Sequence, residues 1–525
     1  LRELKGPELS DDTGLFVHTV REPGKLFFAV TSAIEGNENR EDFSSANALA
    51  EPLDAKVETP KPVLQVAFHE SIKHGRQRQI REYVYWGGGD SLHTEPSTPF
   101  FFRLVPPPEL IGLRKPGATP PWVVAEPFWS HALAAVNTDG IYIPPTRLAP
   151  FPPRAVPFSR GGWKEGARFY YGSRKGPGES ARWGPHIQRS GNLYGYHDAM
   201  NTGRDPRRAT VIPFFENRLL REVGSFFQEF PQASRDHVAI TGESSAMLMA
   251  IHHPDVFAFC SAAQDVPWTA PRQAHQWRMA GKREWGLKND LGFPVWDYCD
   301  PIWLSKKFPD RAWPFIGLCQ SDNYARSDDT HWGQEGYPGL ILALAAEKRG
   351  GRWWWCDIGD APNGGWPAIP RNQAYLAFTN VNFAEVPQAD WKKEPRGTLN
   401  GYLVWHTPEN PFKPKTLEPL ALPLDLVDTP QRFEAAIRIG ELGRTLNGQS
   451  VPPTTARFGQ TDITPWRLQQ LKLEKGKRYL WANRKAATGQ LLQAGVVTAD
   501  ERGLVTIPGF FVDKDAAGNK LLLEP

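Results

Sequence analysis

The residues from Asp236 to Pro254 carry the densest chemical signal in this chain. Gly242-Glu-Ser244-Ser-Ala246 sets a serine hydroxyl between two small residues, a pattern suited to nucleophilic attack on an acyl carbon. A β-prone run, Val238-Ala-Ile240, enters the turn. A helix-forming run, Met247-Leu-Met-Ala-Ile251, leaves it and must stop before Pro254. Strand, sharp turn and helix in that order hold a serine out at the end of a buried strand. Gly242 and Ala246 let the backbone bend without side-chain collision. The amide of Ser245, at the helix start, would then donate to a developing oxyanion. A plain strand-to-helix crossover with an incidental serine is the competing interpretation. The fit on both sides of the turn favours the nucleophile.

Elements must exist to present that turn. Between Asn217 and Phe230, apolar residues fall at 219, 220, 223, 226, 227 and 230, which is helical spacing. Short apolar runs at Trp122–Glu126, Gly140–Pro144, Val256–Ala262, Trp313–Cys319 and Trp353–Ile358 read as buried strands, with a helix over Tyr337–Arg349. Strands alternating with helices predict a parallel sheet over 109–395. Residues 144–210 and 264–310 break the alternation and read as insertions above that sheet. Before it, 1–108 reads as a β region. Its strands are Leu15–Val20, Leu26–Ala33, Val63–Phe68, Ile80–Trp86 and Phe100–Val105, closed by Pro106-Pro-Pro108. After it, 396–525 reads as a small β-sandwich. Its strands are Tyr402–His406, Phe433–Ile439, Arg478–Trp481, Gly495–Thr498 and Leu504–Pro508, with a helical turn at Thr464–Leu471. No internal repeat and no low-complexity tract stands out.

Composition bounds the possibilities. A chain of 525 residues holds two to four domains. A formal charge of +3 gives no bulk argument for nucleic acid. No apolar run approaches the roughly 18 residues of a membrane span. Twenty tryptophans are enough both for a core and for stacking platforms that grip sugar rings. Cys260, Cys319 and Cys356 lie within or at the end of strand-like runs and read as buried thiols. Cys299 could pair with one of them. No Cys/His spacing suggests a metal, and no cofactor is implied. The sequence begins at Leu1 with no signal peptide, as a processed product would, and a secreted or periplasmic location is the expectation.

Residues 109–385 resemble the α/β-hydrolase superfamily, and most closely its secreted esterases of the feruloyl/acetyl-xylan esterase and polyhydroxybutyrate depolymerase type. The resemblance rests on the helix Asn217–Phe230, the Asp236-x-Val-x-x-Thr-Gly-x-Ser244 strand and turn, and the helix end His252-His-Pro-Asp-Val-Phe-Ala258. It implies a fold of α/β class with a parallel-type sheet core, and Ser244 as nucleophile. It also implies an acid after a late strand, where Asp322 follows Trp313–Ser321, with Asp328 and Asp329 as alternates. Separately, Leu26–Ala33 and Gly36-Asn-Glu-Asn39 resemble the closing strands of a fibronectin type III or immunoglobulin-like module.

The chain departs from the esterase pattern at the base. The loop after Trp353–Ile358 reads Gly359-Asp360-Ala361-Pro-Asn-Gly-Gly-Trp366, and Ala361 stands where the resemblance implies histidine. After His331 the next histidine is His406. Serine attack needs a proton acceptor within about 3 Å. Three explanations compete: a deliberate replacement by Ala361 to trap a ligand, another base such as His331, His253 or Asp360, or a hydrolase relative that lost its chemistry and now binds.

The oxyanion loop also departs. Trp122–Glu126 is followed by Pro127, which has no amide hydrogen, so the Phe128 amide is the remaining donor. Glu126 and Glu243, with Asp322 and Asp360, gather carboxylates at one sheet edge. Paired carboxylates can cleave glycosides, although loop acids paired with arginines are the more ordinary outcome. The stretch 154–208 holds eleven basic against four acidic residues, with interleaved aromatics. Arg174, Arg182, Trp163 and Trp183 there, and Trp332 and Trp366 beside His331 and Ala361, are candidate substrate contacts for an acidic or sugar polymer. The sequence therefore points to a serine carboxylesterase acting on a carbohydrate-linked or polymeric ester. The alternatives are a non-catalytic glycan-binding relative and a carboxylate-dependent polysaccharide-cleaving enzyme. A nucleic-acid partner is not expected, and the oligomeric state stays open.

Overall fold

The computed structural model describes residues 20, 22–34, 37–39, 41–57, 61–72, 76–86, 99–106, 110–112, 122–126, 132–136, 194–199, 204–242, 244–263, 281–320, 344, 346–355, 369–383, 386–387, 397–398, 403–404, 426–439, 444–446, 449–451, 458–514 and 517–525. The protein is strand-rich with few helices, and it mixes parallel and antiparallel pairing.

Its centre is a ten-stranded sheet. The strands are β1 (Val63–Ile72), β2 (Arg76–Trp86), β3 (Pro99–Val105), β4 (Trp122–Glu126), β5 (Ala132–Val136), β6 (Val238–Gly242), β7 (Phe259–Ala263), β8 (Phe315–Gln320) and β9 (Gly351–Trp355). The tenth, Gly397–Thr398, pairs antiparallel outside β9. In space the order runs from that pair through β9, β8, β7, β6, β4, β5, β3 and β2 to β1. β4, β6, β7, β8 and β9 are mutually parallel, whereas β5 runs against β4 and β1 to β3 form an antiparallel flank.

Alternation along the parallel strands assigns their faces. Val238, Ile240, Cys260 and Ile316 join one core with two helices, α1 (Phe214–Glu229) and α2 (Ser244–His252). The stripe of α1 is buried at Leu219, Val223, Phe226 and Phe227, and Pro231 closes its end. α2 is buried on all sides from Ala246 to His252, as a helix apolar all round must be.

The opposite face, carrying Ala239, Phe259 and Phe315, meets the C-terminal region instead of further helices. There β10 (Tyr375–Phe383), β11 (Phe458–Trp466) and β14 (Ile507–Asp513) form one sheet with Val386–Pro387. β12 (Arg478–Lys485), β13 (Leu491–Thr498) and β15 (Asn519–Glu524) form a second with Leu403–Val404, Leu426–Thr429 and Arg432–Ile439. Tyr375, Leu376, Ala377 and Phe378 are all buried in succession, so the first sheet is covered on both faces. The molecule thus stacks helices, central sheet, inner sheet and outer sheet. Tyr375, expected with the central region, pairs with Trp466 in the inner sheet, while Gly397–Thr398, expected with the C-terminal region, edges the central one.

Arg349 pins this junction. Its guanidinium lies 4.5 Å over Trp313 and 5.0 Å over Trp466. It donates to the Ser305 hydroxyl and to the carbonyls of Ser305, Phe308, Pro309 and Arg311. Burial lowers its pKa to about 10, which still leaves it charged at neutral pH. Replacement Arg349→Leu strips those donors and leaves buried carbonyls unmet. The expected loss is on the order of 3–5 kcal/mol in urea-unfolding free energy, with Arg349→Lys recovering only a minor part.

Several expectations need correction. Thr464–Leu471 is not a helical turn: Thr464 to Trp466 complete β11, and Arg467, at φ 55°, ends it. Three successive amides, of Gln469, Gln470 and Leu471, then bond to Asp428. Thr-Pro mimics a helix start, but the buried alternation of β11 dominates. Leu26–Ala33 is no continuous strand. Among the described residues of this region, only Gly24–Leu26, paired with Leu53–Ala55, and Ala33–Ile34, paired with Asn37–Glu38, form ladders, with a single bridge from Ala29 to Ala48. No described side chain between 20 and 57 is buried, so those residues build no fibronectin-like sandwich. Leu15–Thr19 and Gly140–Pro144 lie outside the described residues. The helix over Tyr337–Arg349 is described only at its end, where Leu344 and Ala346 are helical.

The described parts of the two insertions fold together. Tyr196–His197, Thr210–Ile212 and Lys288–Asn289 make a three-stranded sheet. Its neighbours Val295–Tyr298 and Pro301–Lys307 are short helices. Tyr194, Val211, Leu287 and Tyr298 extend the helix-side core. Cys260 and Cys299 are buried and lie outside any disulfide; Cys356 lies outside the described residues.

Candidate functional site

The turn after β6 is placed by the sheet. Ile240 is in register with Ala125 on one side and Cys260 on the other. β6 therefore sits inside the parallel run, with its carboxyl end beside those of β4 and β7. α2 begins at Ser244, two residues beyond Gly242. The first four amides of a helix lack intrahelical acceptors, and those of Ser244 and Ser245 are among them at this edge.

The parallel strands end together. Gln320 is in register with Trp355. Glu126 closes β4 one residue past the Ala125–Ile240 pair, so its backbone is at the same edge as Ser244. In the sequence Asp322 follows two residues after β8, and Ala361 six after β9. Asp322, Asp328, Asp329, His331, Trp332, Asp360, Ala361, Trp366, Phe128, Glu243, Trp163, Arg174, Arg182 and Trp183 all lie outside the described residues.

One candidate base is excluded. His253 follows the last residue of α2, at the far end of the helix from Ser244. At 1.5 Å per residue that separates their backbones by about 13 Å, well beyond the reach proton transfer requires. Its ring is also engaged: Nε2 lies 2.9 Å from Glu216 Oε2.

That contact belongs to a buried polar cluster that sequence reasoning missed. Glu216 Oε1 meets His252 Nδ1 at 2.7 Å, and His252 Nε2 donates to the Tyr298 carbonyl at 2.9 Å. The His252 ring stacks on Tyr298 with centroids 4.3 Å apart, and Arg311 donates to the His252 carbonyl. The cluster ties the first turn of α1, the end of α2 and the second insertion together. Its signal was present in the sequence. Glu216 lies three and seven residues before Leu219 and Val223, at the head of the apolar stripe, and a carboxylate there is buried.

Burial alone would raise the Glu216 pKa. The charge of His252 and the hydrogen bonds from His252 and His253 outweigh it and hold the group at about 2. A carboxylate pKa depressed on folding stabilises the protein above its unfolded value, here 4.5, and the gain is lost as pH falls through the folded value. Replacement Glu216→Gln is therefore expected to cost on the order of 3 kcal/mol at neutral pH. In urea titrations across pH, its gap from wild type should close between about 4.5 and 2.

Among the described residues no cluster of three or more His, Cys, Asp or Glu is arranged to hold a metal ion, and no helix is long and apolar enough to cross a membrane. No family model matches the sequence, and no curated protein does.

Proposed function

We propose that the chain is a serine hydrolase of the α/β-hydrolase type, acting on a carbohydrate-linked or polymeric carboxylic ester, with Ser244 as nucleophile. The observation that carries this reading is the placement of Ser244 as the first residue of α2, directly off a strand flanked by parallel β4 and β7. Attack by the Ser244 hydroxyl on the ester carbonyl would form a tetrahedral oxyanion, for which the Ser245 and Phe128 amides are the proposed donors. Expulsion of the alcohol leaves an acyl-enzyme that water then hydrolyses. A base must take the Ser244 proton and return it to the leaving alcohol; with Ala361 in the slot where histidine is expected, His331 is the candidate, and Asp322 would orient it. The aromatic and basic residues of 154–208, together with Trp332 and Trp366, contact the polymer. A secreted or periplasmic location suits such a substrate. The test is fluorophosphonate labelling and p-nitrophenyl acetate turnover, both lost in Ser244→Ala. Labelling that survives that substitution refutes the proposal.

A second reading, a non-catalytic glycan-binding relative, draws on one observation: no histidine occurs between His331 and His406. It predicts retention on an acidic-polysaccharide affinity gel with no labelling of Ser244. A carboxylate-dependent polysaccharide-cleaving enzyme would instead release reducing ends and keep its activity in Ser244→Ala.

A further inference from the structure

β13 ends the outer sheet with an unusual edge. Its eight residues, Leu491-Leu-Gln-Ala-Gly-Val-Val-Thr498, include no charge and no proline. Among the described residues it pairs only with β12, and its outward backbone groups meet no other partner. A bulge at Leu492 leaves Gln493–Thr498 as the regular edge. Exposed aliphatics line it: Val496 is 46% exposed, and Leu480, its neighbour on β12, is 55% exposed.

Proteins normally blunt such edges with charges, prolines, bulges or covering groups, and this one does so elsewhere. β14, in the facing sheet, has its Gly509 carbonyl and Phe511 amide bonded by the Gln493 side chain. Its Phe511 carbonyl accepts from Asn483, and its Asp513 amide donates to Asn519. β1, the far edge of the central sheet, carries a bulge between Leu64 and Val66 and a charge at Glu70. The edge of β13 has neither device over Gln493–Thr498.

We propose that this edge pairs antiparallel with the same edge of a second copy of the chain, forming a two-fold dimer. Two antiparallel strands of one sheet are related by an axis perpendicular to it, so the exposed face of one copy continues as the exposed face of the other. Residues opposite each other must then share a face. An axis at Val496 satisfies this, setting Val496 beside its own mate, Ala494 opposite Thr498 and Gly495 opposite Val497. Every pair is neutral, so identical edges meet without the like-charge repulsion that penalises self-association. On β12, about 4.8 Å back from the edge, Arg478 pairs with Thr498 and Arg484 with Leu491, and Asp500 follows two residues past Thr498. Leu480 and Val496 of both copies join into one aliphatic strip across the seam. A charged peptide would find no counter-charge on the strand, which favours the second copy as occupant.

Sedimentation velocity on the full chain over a concentration series tests this. Wild type is expected to dimerise, and Val496→Lys to raise the dissociation constant by at least about tenfold, since it sets two ammonium groups against each other at the axis. Val496 is half-exposed, so the variant should match wild type in circular dichroism and unfolding midpoint. Val496→Cys should cross-link to itself on mild oxidation, with peptide mass spectrometry placing the bond between the two copies of position 496. A monomer at all concentrations overturns the proposal, as does a dimer indifferent to Val496→Lys or a Val496→Cys chain that stays uncross-linked. Monomers that bind an extended peptide along β13 also overturn it.

Discussion

Replacing Ala361 with histidine is expected to raise p-nitrophenyl acetate hydrolysis by about a hundred- to ten-thousand-fold over the chain as it stands, the range a positioned general base contributes. The sheet geometry motivates the expectation. Ser244, the end of β8 and the end of β9 share one edge, and the loop carrying Ala361 leaves from the last of these. A histidine there would accept the serine proton while Asp322 fixes its tautomer. Initial rates of the single variant, and of the same variant with Ser244→Ala, make the measurement. The gain must vanish in the double variant. A gain that survives without Ser244 assigns the chemistry elsewhere, and no gain at all favours the binding protein.

Truncation before Tyr375 is expected to abolish soluble folding altogether. In an esterase with an appended sandwich, removing the sandwich would leave the catalytic part intact. Here the inner sheet covers the face of β6, β7 and β8 that carries Ala239, Phe259 and Phe315. Each buried aromatic exposed by its loss forfeits roughly 1.5–3 kcal/mol, against a total stability of about 5–15 kcal/mol. Trp466 also donates to the Lys348 carbonyl and Arg467 to that of Ala258, so polar contacts would be lost with the apolar ones. Expression of residues 1–372, followed by solubility and circular dichroism, decides the matter. A folded, soluble fragment would mean that the two parts are independent.

The two expectations differ in how far they were legible in the sequence. Val238–Ile240 and the stripe of α1 were readable because burial imposes a period on the local sequence. The turn at Ser244 followed from its neighbours alone. The covering of the sheet by a second sheet was not legible. Tyr375-Leu-Ala-Phe378 announces a buried strand, but nothing local says that Trp466 is its partner or that Phe315 lies beneath it. The Glu216–His252–His253 cluster was half legible: its burial could be read from the stripe, but the meeting of two distant helix ends could not. Likeness to a fibronectin strand failed because aromatic and β-branched composition marks a strand only where a second layer covers it. Phe27 and Val30 remain 66% and 76% exposed.

The place of Asn519–Glu524 in the outer sheet has a kinetic meaning. β15 is an interior strand, hydrogen-bonded on one side to Arg432–Ile439 and on the other to β12, with Leu521 and Leu523 fully buried. On the ribosome, Arg432–Ile439 must wait for a partner synthesised far later, and the inner sheet waits with it. Pairings this distant along the chain delay closure. Nascent chains should therefore linger with the Ala239 face of β6 unprotected, and chaperone dependence would fall on this stage of biogenesis rather than on assembly of the helical side.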